Sequence, residues 1–101
     1  MNYTNAKTMF ETTRKRKLGN NTFLVKTDRG FGIKLHQTVV VEYLPTETII
    51  NSGGWQTVTT KQRINNFGPV NCYVFQKDFT WFVAIPGEDI LFFDRMSFPI
   101  V

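Results

Sequence analysis

The sequence predicts one α+β domain, mainly antiparallel β-sheet of about six or seven strands, with one short helix and a flexible basic N-terminal arm. Three observations predict it. Between Thr22 and Asp94, short runs of β-branched and aromatic residues recur, each closed by Gly, Pro, Asn or Asp. One stretch, residues 59–67, breaks that rhythm and places apolar side chains at helical spacing. The surplus charge is confined to Arg14–Lys17, which hold four of the twelve Lys and Arg; the remaining eight balance the eight Asp and Glu. A chain of 101 residues has room for one core. The expected division is a tail and basic arm over 1–21 and a single compact domain over 22–101.

Residues 1–13 mix Asn, Thr and scattered apolar side chains, with a short helix around Ala6–Lys17 as one option. Leu18-Gly19-Asn20-Asn21 is turn chemistry, because Gly and Asn tolerate positive φ. Thr22–Thr27 and Phe31–Leu35, joined by Asp28-Arg29-Gly30, read as a hairpin. Thr38–Leu44 is the clearest strand, with Val39, Val41 and Tyr43 on one face and Glu42 on the other. Pro45-Thr46-Glu47 then turns into a strand at Thr48–Asn51. Thr59-Thr60-Lys61-Gln62 fits a capping box, Thr60, Ile64 and Phe67 share one side, and Gly68-Pro69 ends the helix. Strands follow at Cys72–Gln76, Thr80–Ile85 and Asp89–Asp94, with Pro86 and Pro99 ending strands because proline donates nothing to a ladder.

The most informative stretch for function is Asn51-Ser52-Gly53-Gly54-Trp55 leading into the helix start. Gly53 and Gly54 let backbone approach a ligand closely. Thr59 and Lys61 stand in the first helical turn, where orphan N–H groups attract an anion. Trp55 offers a flat face to a base. Lys61 and Arg63 lie about 160° apart on an ideal helix, so they flank the apolar stripe instead of clamping one phosphate. The structural alternative makes Gly53-Gly54 a turn, Trp55 a core residue and the threonines caps. The second candidate is Arg14, Lys15, Arg16 and Lys17, a basic arm suited to phosphate backbone or, equally, a solvated charge run. The aromatic residues Phe23, Phe31, Phe75, Phe82 and Phe92 occupy strand positions and read as core. His36 reads as a polar residue at a strand edge and Cys72 as a small buried hydrophobe.

Enzyme templates fail in turn. His36 is the one histidine and lies in no nucleophile elbow. One histidine and one cysteine leave no metal motif and no intramolecular disulfide, and no Walker loop is present. Catalysis, a metal and a cofactor are therefore not expected. The longest apolar run, Trp81–Ile85, has five residues, against about 20 for a membrane span, and no secretory leader is visible. From Asp78 onward four acids face one base, so the molecule has separable basic and acidic ends.

The order Arg16-Lys17-Leu18, Asn20-Asn21-Thr22-Phe23-Leu24, Leu35-His36, Thr38, Val40, then Asn51-Ser52-Gly53-Gly54-Trp55, Thr57, Thr59-Thr60-Lys61, Arg63-Ile64-Asn65, Val74-Phe75-Gln76-Lys77 and Trp81-Phe82-Val83 resembles a family of short proteins encoded by bacteriophages and other mobile elements. The resemblance covers about residues 14–83 and leaves 1–13 and 84–101 outside. It implies a genetic context, the cytoplasm of an infected bacterium, and not a mechanism. The expected function is non-enzymatic binding of nucleic acid through the arm and the Gly53–Arg63 loop and helix. The alternatives are an anti-CRISPR-like inhibitor docking on a host defence protein, and sequestration of a phosphorylated signalling nucleotide in the Gly53–Lys61 loop.

Overall fold

The computed structural model describes residues 1–100. Among these the chain forms α1 (Tyr3–Thr12), β1 (Lys17–Gly19), β2 (Thr22–Lys26), β3 (Phe31–Leu35), β4 (Thr38–Tyr43), β5 (Glu47–Ile50), α2 (Val58–Phe67), β6 (Tyr73–Lys77), β7 (Thr80–Ile85), β8 (Glu88–Leu91) and β9 (Met96–Pro99). The strands build two antiparallel sheets, a large one ordered β1-β2-β3-β4-β5-β9 and a small one ordered β6-β7-β8. The α+β class and the antiparallel pattern are as the sequence predicts. Two strands exceed the expected number: β1, built on the end of the basic run, and β9, which returns after the small sheet to pair with β5.

The β2–β3 hairpin closes where expected. Thr27 N–H donates to Gly30 O at 2.9 Å, and Gly30 N–H donates to Thr27 Oγ1 at 3.0 Å. A Cβ on Gly30 would fall 2.0 Å from Tyr43 O, so only glycine lets β4 lie this close. β4 departs from simple alternation. Ile33 pairs with Val41 and Lys34 with Val39, leaving Val40 as the extra residue of a bulge. Val40 and Val41 are both buried as a result. Val39 instead faces outward, where a Cβ on Gly32 would meet its Cγ1 at 2.7 Å. The expected grouping of Val39 with Val41 and Tyr43 is corrected by this one-residue shift.

Residues 1–21 are not a detached tail. Asn2 caps α1 by accepting from Asn5 N–H at 2.9 Å. Ala6 is 0% exposed, and the rings of Tyr3 and Phe10 lean on Phe31 at 5.6 and 5.4 Å between centroids. β1 adds its short edge to β2. The flexible arm and the boundary at residue 22 are thus replaced by a helix and strand that share the core with the large sheet.

α2 covers the inner face of the large sheet and joins it to the small one. Ile64 enters the shared core, and the buried Tyr43 hydroxyl donates to Phe67 O at 2.6 Å. Burial pushes the Tyr43 phenol well above its ordinary pKa. Arg63 Nε donates to Thr22 Oγ1 at 2.7 Å, tying α2 to β2. Asn65 makes two bonds to Val74 of β6, accepting from its N–H at 2.7 Å and donating to its C=O at 2.9 Å. The small sheet adds Trp81, Val83 and Val74 to the core, with Trp81 packed edge-on against Phe92 at 5.2 Å.

Candidate functional site

The glycine loop is positioned from its base. Ser52 is buried, and its N–H and hydroxyl both donate to Asp94 Oδ1, at 2.8 and 2.6 Å. Gly54 N–H donates to Ser52 Oγ at 3.2 Å, and Trp55 N–H to Ser52 O at 3.0 Å. The Ser52 donors at the base of the loop are therefore taken by the protein's own Asp94 carboxylate, while the Gly54 and Trp55 N–H groups turn back onto Ser52. Gly53 has φ 62 and passes so near β4 that a Cβ would lie 2.7 Å from Thr38 Cγ2. This is a structural demand for glycine.

The helix begins two residues earlier than the capping-box spacing suggests, with Thr57 and not Thr59 as its cap. Thr57 holds extended backbone, φ −106 and ψ 164, and its Oγ1 accepts from Thr60 N–H at 3.1 Å. Thr59 is exposed within the first turn. Lys61 and Arg63 do diverge. Lys61 Nζ stands 5.9 Å from the centre of the Trp81 ring, and Arg63 reaches the opposite way to Thr22. Neither lines the space beside Trp55.

That space is a pocket of about 450 Å³. Leu35 and Val40 contribute apolar surface, Thr57, Thr59 and Thr60 bring hydroxyls from α2, and Trp55, itself 68% exposed, forms one side. His36, Gln37 and Thr38 of the β3–β4 turn complete the lining together with Ser52. His36 adopts φ 53 in this turn, and its N–H donates to Asn21 O at 2.9 Å.

The basic residues gather elsewhere. Arg14, Lys15 and Lys17 are exposed. Arg16 turns back to the end of α1, donating to Phe10 O at 2.8 Å and to Thr13 O, with its guanidinium 4.0 Å above the Phe10 ring. It ends the helix and is not a free arm residue. Lys17 lies directly across from Phe23, and Phe23 directly across from Lys34. Cross-strand partners share a face, so three adjacent strands present a cation, an aromatic ring and a cation. Phe23, expected in the core, is 39% exposed. An open groove of about 540 Å³ runs along β2 past Phe10, Arg16, Phe23, Lys26, Lys34 and the His36-Gln37 turn, and no acid lines it. A wider depression adjoins it over the outer face of β3–β5, where Arg29 pairs with Glu42 at 3.5 Å.

The sequence singled out the basic run but not Phe23 or Lys34. Their signal was the strand register, which fixes what stands beside Lys17. Cys72 is half-buried, with its thiol pKa raised by burial, and sits just before β6. The described residues include no group of three His, Cys, Asp or Glu arranged to hold a metal, and no helix long and apolar enough to cross a membrane.

No curated protein and no solved structure matches the chain. A family model, described as Kyanoviridae Gp96 protein, matches residues 2–99 and so extends past both ends of the 14–83 stretch that carried the phage resemblance. With the match running from α1 through β9, the chain belongs to the Kyanoviridae Gp96 protein family, a family of phage proteins.

Proposed function

We propose that this phage protein binds single-stranded nucleic acid, without catalysis, along the groove over β2, in the cytoplasm of the infected cell. The observation that carries the reading is the register Lys17–Phe23–Lys34. A half-exposed ring between two cations on a sheet face stacks a base while neighbouring ammonium groups neutralise phosphates. Arg14 and Lys15 extend the positive rim beyond β1. The groove is open and shallow, which suits an unpaired strand better than a rigid duplex.

Fluorescence anisotropy of a labelled single-stranded oligonucleotide, titrated at several salt concentrations, tests this. Lys17→Glu with Lys34→Glu is expected to weaken binding and to flatten the logarithmic salt slope by roughly 1.4, at about 0.7 for each phosphate no longer neutralised. Phe23→Ala is expected to cost about 1–3 kcal/mol of affinity. Absence of salt-dependent binding at about 50 mM salt, where phosphate neutralisation is strong, overturns the reading.

A second reading rests on a different surface. The outer face of the small sheet carries Tyr73, Phe75, Phe82 and Leu91; Phe75 and Phe82 stack at 5.7 Å, and Tyr73 and Leu91 are each 59% exposed. An apolar sheet face of this kind fits a protein partner, as an inhibitor of a host defence protein requires. Leu91→Lys would abolish such docking and leave oligonucleotide affinity unchanged. Sequestration of a phosphorylated nucleotide gains no support from the glycine loop, because the Ser52 donors serve Asp94 and the Gly54 N–H serves Ser52 Oγ.

A further inference from the structure

We infer that the pocket beside Trp55 receives a single uncharged nucleobase, turned out of a strand whose phosphates lie in the β2 groove; this rests on the nucleic-acid reading above. Three observations support it. At about 450 Å³ the pocket falls within the range of about 300–1,000 Å³ typical of small-molecule sites. Its lining combines an apolar floor, an indole face and several hydroxyls but no Lys, Arg, Asp or Glu, so it suits a flat uncharged ring and offers a phosphate no counter-charge. The basic groove reaches it directly, since His36 and Gln37 line both cavities.

The β3–β4 turn is therefore a ridge between a positive channel and a neutral pocket. A strand following the channel brings phosphates past Lys34, and one nucleotide crosses the ridge at Gln37 to lay its base on Trp55. The indole supplies stacking that accepts any base. The Gln37 amide and the Thr59 hydroxyl each offer a donor and an acceptor to the base edge. Lys61 is held beside Trp81 and Arg63 beside Thr22, so neither brings charge into the pocket.

The test uses the full chain and two labelled oligonucleotides of equal length, one with all its bases and one abasic throughout. Trp55 is largely exposed, so Trp55→Ala is expected to keep the wild-type melting temperature. It is expected to weaken binding to the base-bearing strand about 5- to 150-fold, the equivalent of one base stacked on an aromatic ring. The salt slope stays unchanged, and wild type and variant bind the abasic strand alike. Trp55→Phe recovers part of the affinity. If Trp55→Ala binds the base-bearing strand as tightly as wild type while Lys17→Glu with Lys34→Glu still weakens it, the pocket inference falls and the groove reading stands. If the charge reversals change nothing, the groove reading itself falls. A free nucleoside that quenches Trp55 emission, with neither oligonucleotide bound, overturns a strand as the source of the base.

Discussion

Thr57 and Tyr43 show how single side chains hold α2 in place. Thr57 accepts the Thr60 N–H that the helix otherwise leaves unpaired, and the two hydroxyls lie 3.0 Å apart. Thr57→Ala is expected to cost about 1 kcal/mol, read as a shifted urea midpoint, whereas Thr59→Ala at an exposed first-turn position changes stability little. Tyr43 anchors the other end of the helix through Phe67 O. Its phenol is held protonated in the fold by burial, while the unfolded chain ionises near the ordinary value of about 10. The folded state therefore keeps a proton that the unfolded state loses. Stability contributed by this group is intact below about pH 10 and declines as pH climbs above it. Tyr43→Phe is expected to flatten the alkaline limb of the stability profile while lowering stability at neutral pH, because Phe67 O loses its donor. An unchanged alkaline limb in the variant would contradict this.

At the scale of elements, α1 and the β4 bulge carry the clearest expectations. Deleting residues 1–13 strips Tyr3 and Phe10 from Phe31 and removes the buried Ala6 from the core, so it is expected to destabilise the fold by several kcal/mol, in the range of large core truncations at about 2–5. A dispensable tail would leave the denaturation curve unmoved. Val41→Asp buries an unpaired charge and is expected to unfold the protein or nearly so. Val39→Asp, on the outer face, is expected to be far milder, and equal effects would rule out the bulge. These two elements also mark where the sequence was and was not legible. The β2–β3 hairpin, β7, α2 and the stop at Gly68 followed from turn residues and periodicity, which act locally. α1 carries no acid in its first turn and only Ala6 fully buried, so neither capping charge nor an apolar stripe announced it. The bulge was hidden because three consecutive valines fit either face. The site was legible in its parts, the basic run and the exposed Trp55, but not in its assembly. Lys17, Phe23 and Lys34 become neighbours only through strand pairing.

At the scale of the whole molecule, charge and wiring both matter. The cations that line the β2 groove lie on the large sheet or, for Arg16, just before its first strand, whereas Asp78, Glu88 and Asp89 lie on or beside the strands of the small one. The molecule extends 42 × 29 × 19 Å, longer than a Debye length of about 8 Å at physiological salt, so an anionic strand meets the basic side as a separate field. Arg14→Glu with Lys15→Glu is expected to slow oligonucleotide association at low salt, measured by stopped-flow, and to leave the melting temperature unchanged, because both side chains are exposed. Equal on-rates at low salt would remove these residues from steering. The wiring concerns β9. It pairs with β5 from Glu47↔Pro99 to Ile50↔Met96, so everything from 51 to 95 is an excursion between two adjacent strands. On a ribosome, β1–β5 emerge before β9 and form a meander of neighbouring hairpins, yet the β5 edge stays open until β9 has been made. Through all of that interval Ile49 and Ile50 border an unpaired strand edge, ready to accept a strand from another nascent chain. β9 thus acts as a closing latch, and a transcript truncated before Met96 would yield a chain prone to self-association, not a shortened working protein.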